Sequence, residues 1–166
     1  MDLDDALLDD VDALIAADTR QLLPMTASAG ASMRAAAALT TPEVIERIAD
    51  DGRPHAVVVV GGGGSRAAGD ILAAVAGSGS PVPVMTFGGP SLPGWVGPTD
   101  LVVAVSGSGR TPETLAVAAE AARRGCRLVV VSPDRTPLAY LAEQTRGAAS
   151  VPVGVPTVSG TWRART

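Results

Sequence analysis

Three hydroxyls and two glycines stand together in Ser106-Gly107-Ser108-Gly109-Arg110-Thr111, and residues of these types at this spacing can hold an anion by its oxygens. Glycine lets backbone amides come close to a ligand, and Ser and Thr hydroxyls donate hydrogen bonds without adding charge. An apolar β-branched run, Leu101 to Val105, precedes this stretch, and Pro112-Glu113 opens an alanine-rich stretch after it. Pro at the first helical position behind Thr111 as N-cap reads as a helix start. A strand, a Ser/Gly loop and a helix N-terminus in succession favour negative charge through free amides and the helix dipole. The expected chemistry is phosphate binding through Ser106, Ser108, Gly109 and Thr111. A strand-to-helix turn that binds nothing would also use these residue types.

A second small-residue run, Gly61-Gly62-Gly63-Gly64-Ser65, follows the apolar segment Ala56 to Val60 and feeds a helix expected over Arg66 to Ala76. From there strands and helices alternate. Strands are expected over Val82 to Phe87, Leu101 to Val105, Arg127 to Ser132 and Ala149 to Val153. Helices are expected over Pro112 to Arg124 and from Pro137 to about Arg146. Apolar runs of this length suit strands covered on both faces by helices. The predicted fold is α/β, a three-layer αβα sandwich of the flavodoxin-like kind with a five-stranded parallel sheet. Pro83 inside the second strand removes a ladder donor and places that strand at an edge. With right-handed crossovers this favours the order 2-1-3-4-5. The two loops then face each other at the switch point between strands one and three, where such sheets bind ligands. The loop Gly61 to Ser65 joins the candidate site on that ground.

Residues 1–52 read as an N-terminal helical extension, 53–153 as the α/β domain and 154–166 as an irregular tail. In the extension Leu3, Leu7, Leu8, Val11, Leu14 and Ile15 fall near helical spacing, with Pro24 and Gly30 expected to interrupt before Met33 to Leu39 resumes. Thr41-Pro42-Glu43 opens a further helix carrying Val44, Ile45 and Ile48. The apolar stripe is expected to pack on the sheet or on a partner subunit.

Charge is divided unevenly. Residues 1–51 hold eleven acids and three arginines, whereas 52–166 hold six acids and ten arginines. A basic part that contains the glycine-rich loops suits an anionic small molecule. No basic run and no set of stacking aromatics points to nucleic acid. No apolar run reaches the length of a membrane span, and the acidic start lacks the form of a signal peptide, so a cytoplasmic protein is expected. Lysine is absent from the chain, which excludes a lysine Schiff base and a Walker-type phosphate lysine. Cys126 is the single cysteine, so neither an intramolecular disulfide nor a multi-cysteine metal site forms. No metal and no cofactor is expected.

VSGSGRTPET resembles the SxSGxTxET phosphate-binding motif of the SIS (sugar isomerase) domain. VGGGGSRAAGD resembles the first loop, GMGGSxxAGD, of the bifunctional phosphoglucose/phosphomannose isomerase branch. The linker Ser91 to Val96 and Thr136-Pro137-Leu138-Ala139 follow the same pattern, so the resemblance covers nearly all of residues 1–153. It implies that Ser106, Ser108 and Thr111 bind a sugar's phosphate, with Gly63, Gly64 and Ser65 approaching from the facing loop. It also implies aldose–ketose isomerisation of glucose 6-phosphate or mannose 6-phosphate to fructose 6-phosphate, and either a homodimer or a second SIS domain as partner. Gly62 and Arg66 depart from the pattern, standing where Met and Gly are common. In this branch the glutamate base and the ring-opening histidine lie in a second SIS domain. The sole histidine here, His55, precedes the first strand and so sits at the end of the sheet away from the crevice. Glu113 is the candidate base, although its place in the first turn of a helix suits a structural role. Asp70 is the other carboxylate near the crevice, Arg110 is expected to point into solvent, and Cys126 to be a small core residue. The alternatives are a phosphosugar-binding or regulatory module without chemistry, or a truncated, inactive homologue.

Overall fold

The computed structural model describes residues 9–50 and 52–153. Three helices, α1 (Val11–Ala17), α2 (Leu22–Leu39) and α3 (Pro42–Ala49), lead into β1 (Val57–Val60) and α4 (Gly64–Ala76). There follow β2 (Val84–Phe87), β3 (Leu101–Val105), α5 (Pro112–Arg123), β4 (Arg127–Ser132), α6 (Pro137–Gln144) and β5 (Ala149–Pro152). The five strands are all parallel, in the order β2-β1-β3-β4-β5 expected from the sequence. β1 lies between β2 and β3, with Val58 opposite Met85 on one side and Val102 on the other. The chain therefore leaves β1 toward one edge and β3 toward the other, which creates the switch point.

Alanine and valine build the core in place of aromatics. Val58, Val60, Val102, Ala104, Leu128 and Val130 face Val117, Ala118 and Ala121 of α5 and Leu138 and Ala142 of α6. Cys126 is buried at the edge of this cluster, and burial pushes its thiol pKa up. Small side chains let α5 and α6 lie close to the sheet, so even a one-methylene change in this layer is felt.

No helix joins β2 to β3. Residues 88–100 cross the sheet as a loop whose Leu92 and Val96 enter the core. The loop is clamped by α5. Arg124 donates from Nη1 to the carbonyls of Pro93 (2.7 Å) and Val96 (3.2 Å), and from Nη2 to that of Leu92 (3.2 Å). The Leu92 amide in turn donates to Glu120 Oε2 at 3.0 Å, and Arg124 Nη2 to Glu120 Oε1 at 2.6 Å. The Leu92 hydrogen bond holds the Glu120 carboxyl below its ordinary pKa, against a smaller opposing effect of desolvation and with help from Arg124. A carboxylate whose pKa folding depresses stabilises the fold above its unfolded pKa, and that contribution is lost as pH falls through the folded value. Thermal melts are expected to show Tm dropping on acidification through the carboxylate range, with a shallower drop in Glu120→Gln. Identical acid profiles would show that the clamp adds nothing over water.

Several boundaries differ from expectation. Pro24 and Gly30 do not interrupt α2. Pro24 is its third residue, where the amide has no intrahelical acceptor to lose, and a mid-helix glycine costs only about 1 kcal/mol. Pro83 lies just before β2 instead of within it, and its carbonyl accepts from the Val57 amide at 2.9 Å, although β2 is the edge strand as expected. α4 begins at Gly64, two residues before the expected Arg66, while α6 and β5 stop at Gln144 and Pro152. Val11 and Ile15 of α1 are exposed, so that part of the stripe does not pack on the sheet. α3 does pack there, beside β5, and Arg127 of β4 donates to the carbonyls of Ile48 and Gly52, both at 2.7 Å. Leu3, Leu7, Leu8 and the tail 154–166 lie outside the described residues.

Candidate functional site

Both glycine-bearing loops leave the carboxyl ends of neighbouring strands, β1 and β3, and they touch. A Cβ on Gly61 would stand 2.9 Å from the Val105 carbonyl oxygen and 3.0 Å from Ser65 Cβ. One on Gly62 would meet Thr111 Cγ2 at 3.8 Å. The first loop thus passes over the end of β3 only because position 61 has no side chain. Gly63 takes φ +54°, a conformation that favours glycine, and directs the chain into α4. Gly64 and Ser65 occupy the first turn of that helix, which has no side-chain cap.

The second loop is organised from beneath by Ser106, which is only 1% exposed. Its amide donates to the Val131 carbonyl (3.0 Å), continuing the β3–β4 ladder one residue past the strand. Its Oγ accepts from the Gly109 amide at 3.0 Å and lies 3.0 Å from Thr111 Oγ1 and 3.5 Å from Ser108 Oγ. Ser108 Oγ accepts from the Arg110 amide at 3.2 Å, while the serine itself is exposed. The three hydroxyls expected from the motif are therefore one hydrogen-bonded cluster. Thr111 is the N-cap of α5 by position, yet its hydroxyl pairs with Ser106 Oγ, where either oxygen can donate, and makes no cap bond. Among the described residues, no hydrogen bond engages the amides of Gly107, Ser108 or Thr111. An uncapped helix start behind open amides is what an anion fits.

A third loop, after β4, supports the second. Gly109 takes φ +61°, and a Cβ there would collide with the Thr136 side chain. The Leu138 amide donates to the Gly109 carbonyl at 3.1 Å, tying the start of α6 to the loop. Thr136 is buried and held in place: its hydroxyl donates to the Pro133 carbonyl (2.9 Å), accepts from the Ala139 amide (3.3 Å), and approaches Ser132 Oγ at 3.3 Å. In the sequence Ser132 is only the end of a strand, and Thr136 enters only through the resemblance and as the residue before a helix start. Buried hydroxyls one strand away from a Ser/Gly loop were the available signal.

The other candidates fall where their types suggest. Glu113 is exposed in the first turn of α5, and Asp70 is exposed on α4, in its second turn. Arg110 is exposed, as expected. Arg66 reaches toward Gly88, past the end of β2, rather than over the switch point. His55 is exposed before β1, with its amide donating to the Thr99 carbonyl, at the opposite end of the sheet from the loops. Among the described residues, no group of three or more His, Cys, Asp or Glu could hold a metal ion, and no helix is long and apolar enough to cross a membrane.

Comparison with known proteins agrees with this fold. The SIS domain family is matched over residues 53–150, the segment that carries all three loops. Among solved structures, the sugar isomerase domain of the RpiR transcription factor from Sphaerobacter thermophilus is similar with a TM-score of 0.64 and 22% identity. That likeness covers 82% of this chain and 76% of that one. The Vibrio vulnificus NanR protein complexed with ManNAc-6P gives a TM-score of 0.63 and 21% identity, over 89% of this chain and 59% of the other. Tagatose-6-phosphate ketose/aldose isomerase from Escherichia coli gives 0.57 and 17%, over 68% of this chain. The match spans about a third of that isomerase, 34% of its length. No curated protein matches the chain.

Proposed function

The chain belongs to the SIS domain family, and on that premise we propose that it binds a phosphosugar at the switch point between β1 and β3. The observation that carries this reading is the start of α5: Thr111 turns its hydroxyl to Ser106 and leaves the helix uncapped behind the free amides of the loop. The phosphate sits over Gly107 to Thr111, taking hydrogen bonds from the amides and from the Ser108 and Thr111 hydroxyls. Ser106 and Gly109 hold the loop in shape, and Gly63, Gly64 and Ser65 border the sugar from the facing helix start. Charge-assisted bonds of this kind are roughly twice as strong as neutral ones, so the phosphate supplies most of the affinity. Titration calorimetry is expected to show binding of fructose 6-phosphate and 6-phosphogluconate and none of fructose. Equal heats with fructose, or no heat with any of the three, would overturn the reading.

The finer reading is aldose–ketose isomerisation of the phosphoglucose/phosphomannose kind, by an SIS domain that pairs with another copy or with a second SIS domain. Taking a proton from C2 needs a base within hydrogen-bond reach of it. Glu113 and Asp70 are the carboxylates nearest the loops, and His55 is at the wrong end of the sheet. The second reading is a phosphosugar-binding or regulatory module without chemistry; the sugar isomerase domain of a transcription factor and a ketose/aldose isomerase are both among the similar folds. A coupled assay decides between them. This chain is expected not to interconvert glucose 6-phosphate and fructose 6-phosphate, whereas turnover that vanishes in Glu113→Gln would establish Glu113 as the base.

A further inference from the structure

Arg66 is a cation in an electrostatically poor place. It is the third residue of α4, in a first turn that holds no acid, where the helix dipole opposes positive charge. Asp70 lies one turn on, but an arginine N-terminal to its acid is the weaker order for such a pair. Among the described residues Arg66 makes neither an ion pair nor a side-chain hydrogen bond. Its guanidinium lies instead against bare backbone at the exit of β2. A Cβ on Gly88 would stand 3.2 Å from Arg66 Nη1, and one on Gly89 would collide with the Phe87 ring. Arg66 is exposed, so its donors are open to a ligand.

Glycine floors the route from the phosphate loop to this guanidinium. A Cβ on Gly63 or Gly64 would meet nothing within 4 Å, and one on Gly62 would meet Thr111 Cγ2 alone, at 3.8 Å. β2, β1 and β3 are consecutive in the sheet, so at about 4.8 Å per strand the exits of β2 and β3 lie about 10 Å apart. An extended six-carbon sugar acid with a phosphate at C6, built from bonds of about 1.5 Å, spans about 9 Å from phosphorus to carboxylate. We infer that the site takes a phosphosugar acid in open-chain form. The phosphate lies over Gly107 to Thr111, the carbon chain crosses Gly62 to Gly64, and the carboxylate enters the Arg66 fork. Guanidinium N–H groups match a carboxylate in pairs, which a point charge does not. The same anion offsets the unfavourable meeting of Arg66 with the helix dipole. A phosphosugar with a neutral far end leaves Arg66 facing water. This inference rests on the phosphosugar reading above and narrows its ligand class.

Calorimetry on the full chain compares 6-phosphogluconate with glucitol 6-phosphate, the same open chain with a hydroxymethyl group in place of the carboxylate. The wild type is expected to bind the acid about 10-fold tighter, the scale of one hydrogen bond to a charged group. Arg66→Gln, at an exposed position, should melt like the wild type and bring the two ligands within about twofold of each other. Failure of both phosphates to bind the wild type would overturn the phosphosugar reading and this inference with it. Equal affinities in the wild type, or a preference that survives Arg66→Gln, would overturn the carboxylate assignment and leave the phosphate site standing. So would fructose 1,6-bisphosphate gaining as much over fructose 6-phosphate as the acid gains over glucitol 6-phosphate, since any second anion would then serve.

Discussion

Gly109→Ala is expected to cost the fold about 3 kcal/mol, from a left-handed backbone conformation that L side chains resist and from overpacking against a neighbour that cannot yield. The neighbour is Thr136, which is β-branched, buried and held by bonds to Pro133 and Ala139, so it has no free rotamer to retreat into. Relief must come from the backbone, and moving the Ser106–Thr111 loop breaks its ties to Leu138 and Ser106. In a chain of this length the loss corresponds to a fall in Tm of about 10 °C. Gly107→Ala is the matched control, since a Cβ there meets nothing within 4 Å. Differential scanning calorimetry of both variants checks the argument. Two variants melting within about 2 °C of each other would mean that α6 does not brace the loop.

The second large effect falls on binding. Ser108→Ala combined with Thr111→Val removes two hydroxyl donors from the phosphate and should weaken fructose 6-phosphate binding by about 2 kcal/mol or more, near 30-fold in Kd. The fold should survive, because Ser106 Oγ retains the Gly109 amide as its donor and α5 never depended on Thr111 for a side-chain cap. Calorimetry with the double variant, beside a thermal melt, separates lost contacts from a lost loop. Unchanged affinity in a folded variant would remove the hydroxyls from the site and leave the amides to hold the anion. Ser106→Ala differs in kind: it deletes the acceptor beneath Gly109, so stability and affinity are expected to fall together.

The sheet order and the partnership of the two loops were legible because they rest on local signals. Apolar runs of four or five residues mark Val57–Val60, Leu101–Val105 and residues 128–131, and a proline beside the second strand accompanies the edge position. Helix ends were less legible where two local rules compete. Pro24 breaks a helix interior but is neutral in a first turn, and only the position of the first turn decides which rule applies. Glycine is a poor helix former, so the sequence points to Arg66 as the start of α4, while the structure puts Gly64 at a helix start, where interior propensity carries little weight.

Read alone, the sequence determined the elements, their order and the residue types at the mouth between β1 and β3, since hydrophobic period and turn chemistry act within a few residues of chain. The tertiary structure alone decided where the side chains spend their hydrogen bonds. Thr111 turns to Ser106 and not to its own helix, Thr136 locks Gly109 from a loop 27 positions on, and Glu120 with Arg124 clasps Leu92 to Val96. The last two are choices between a local partner and a distant one. That choice depends on distances that exist only once the strands have paired.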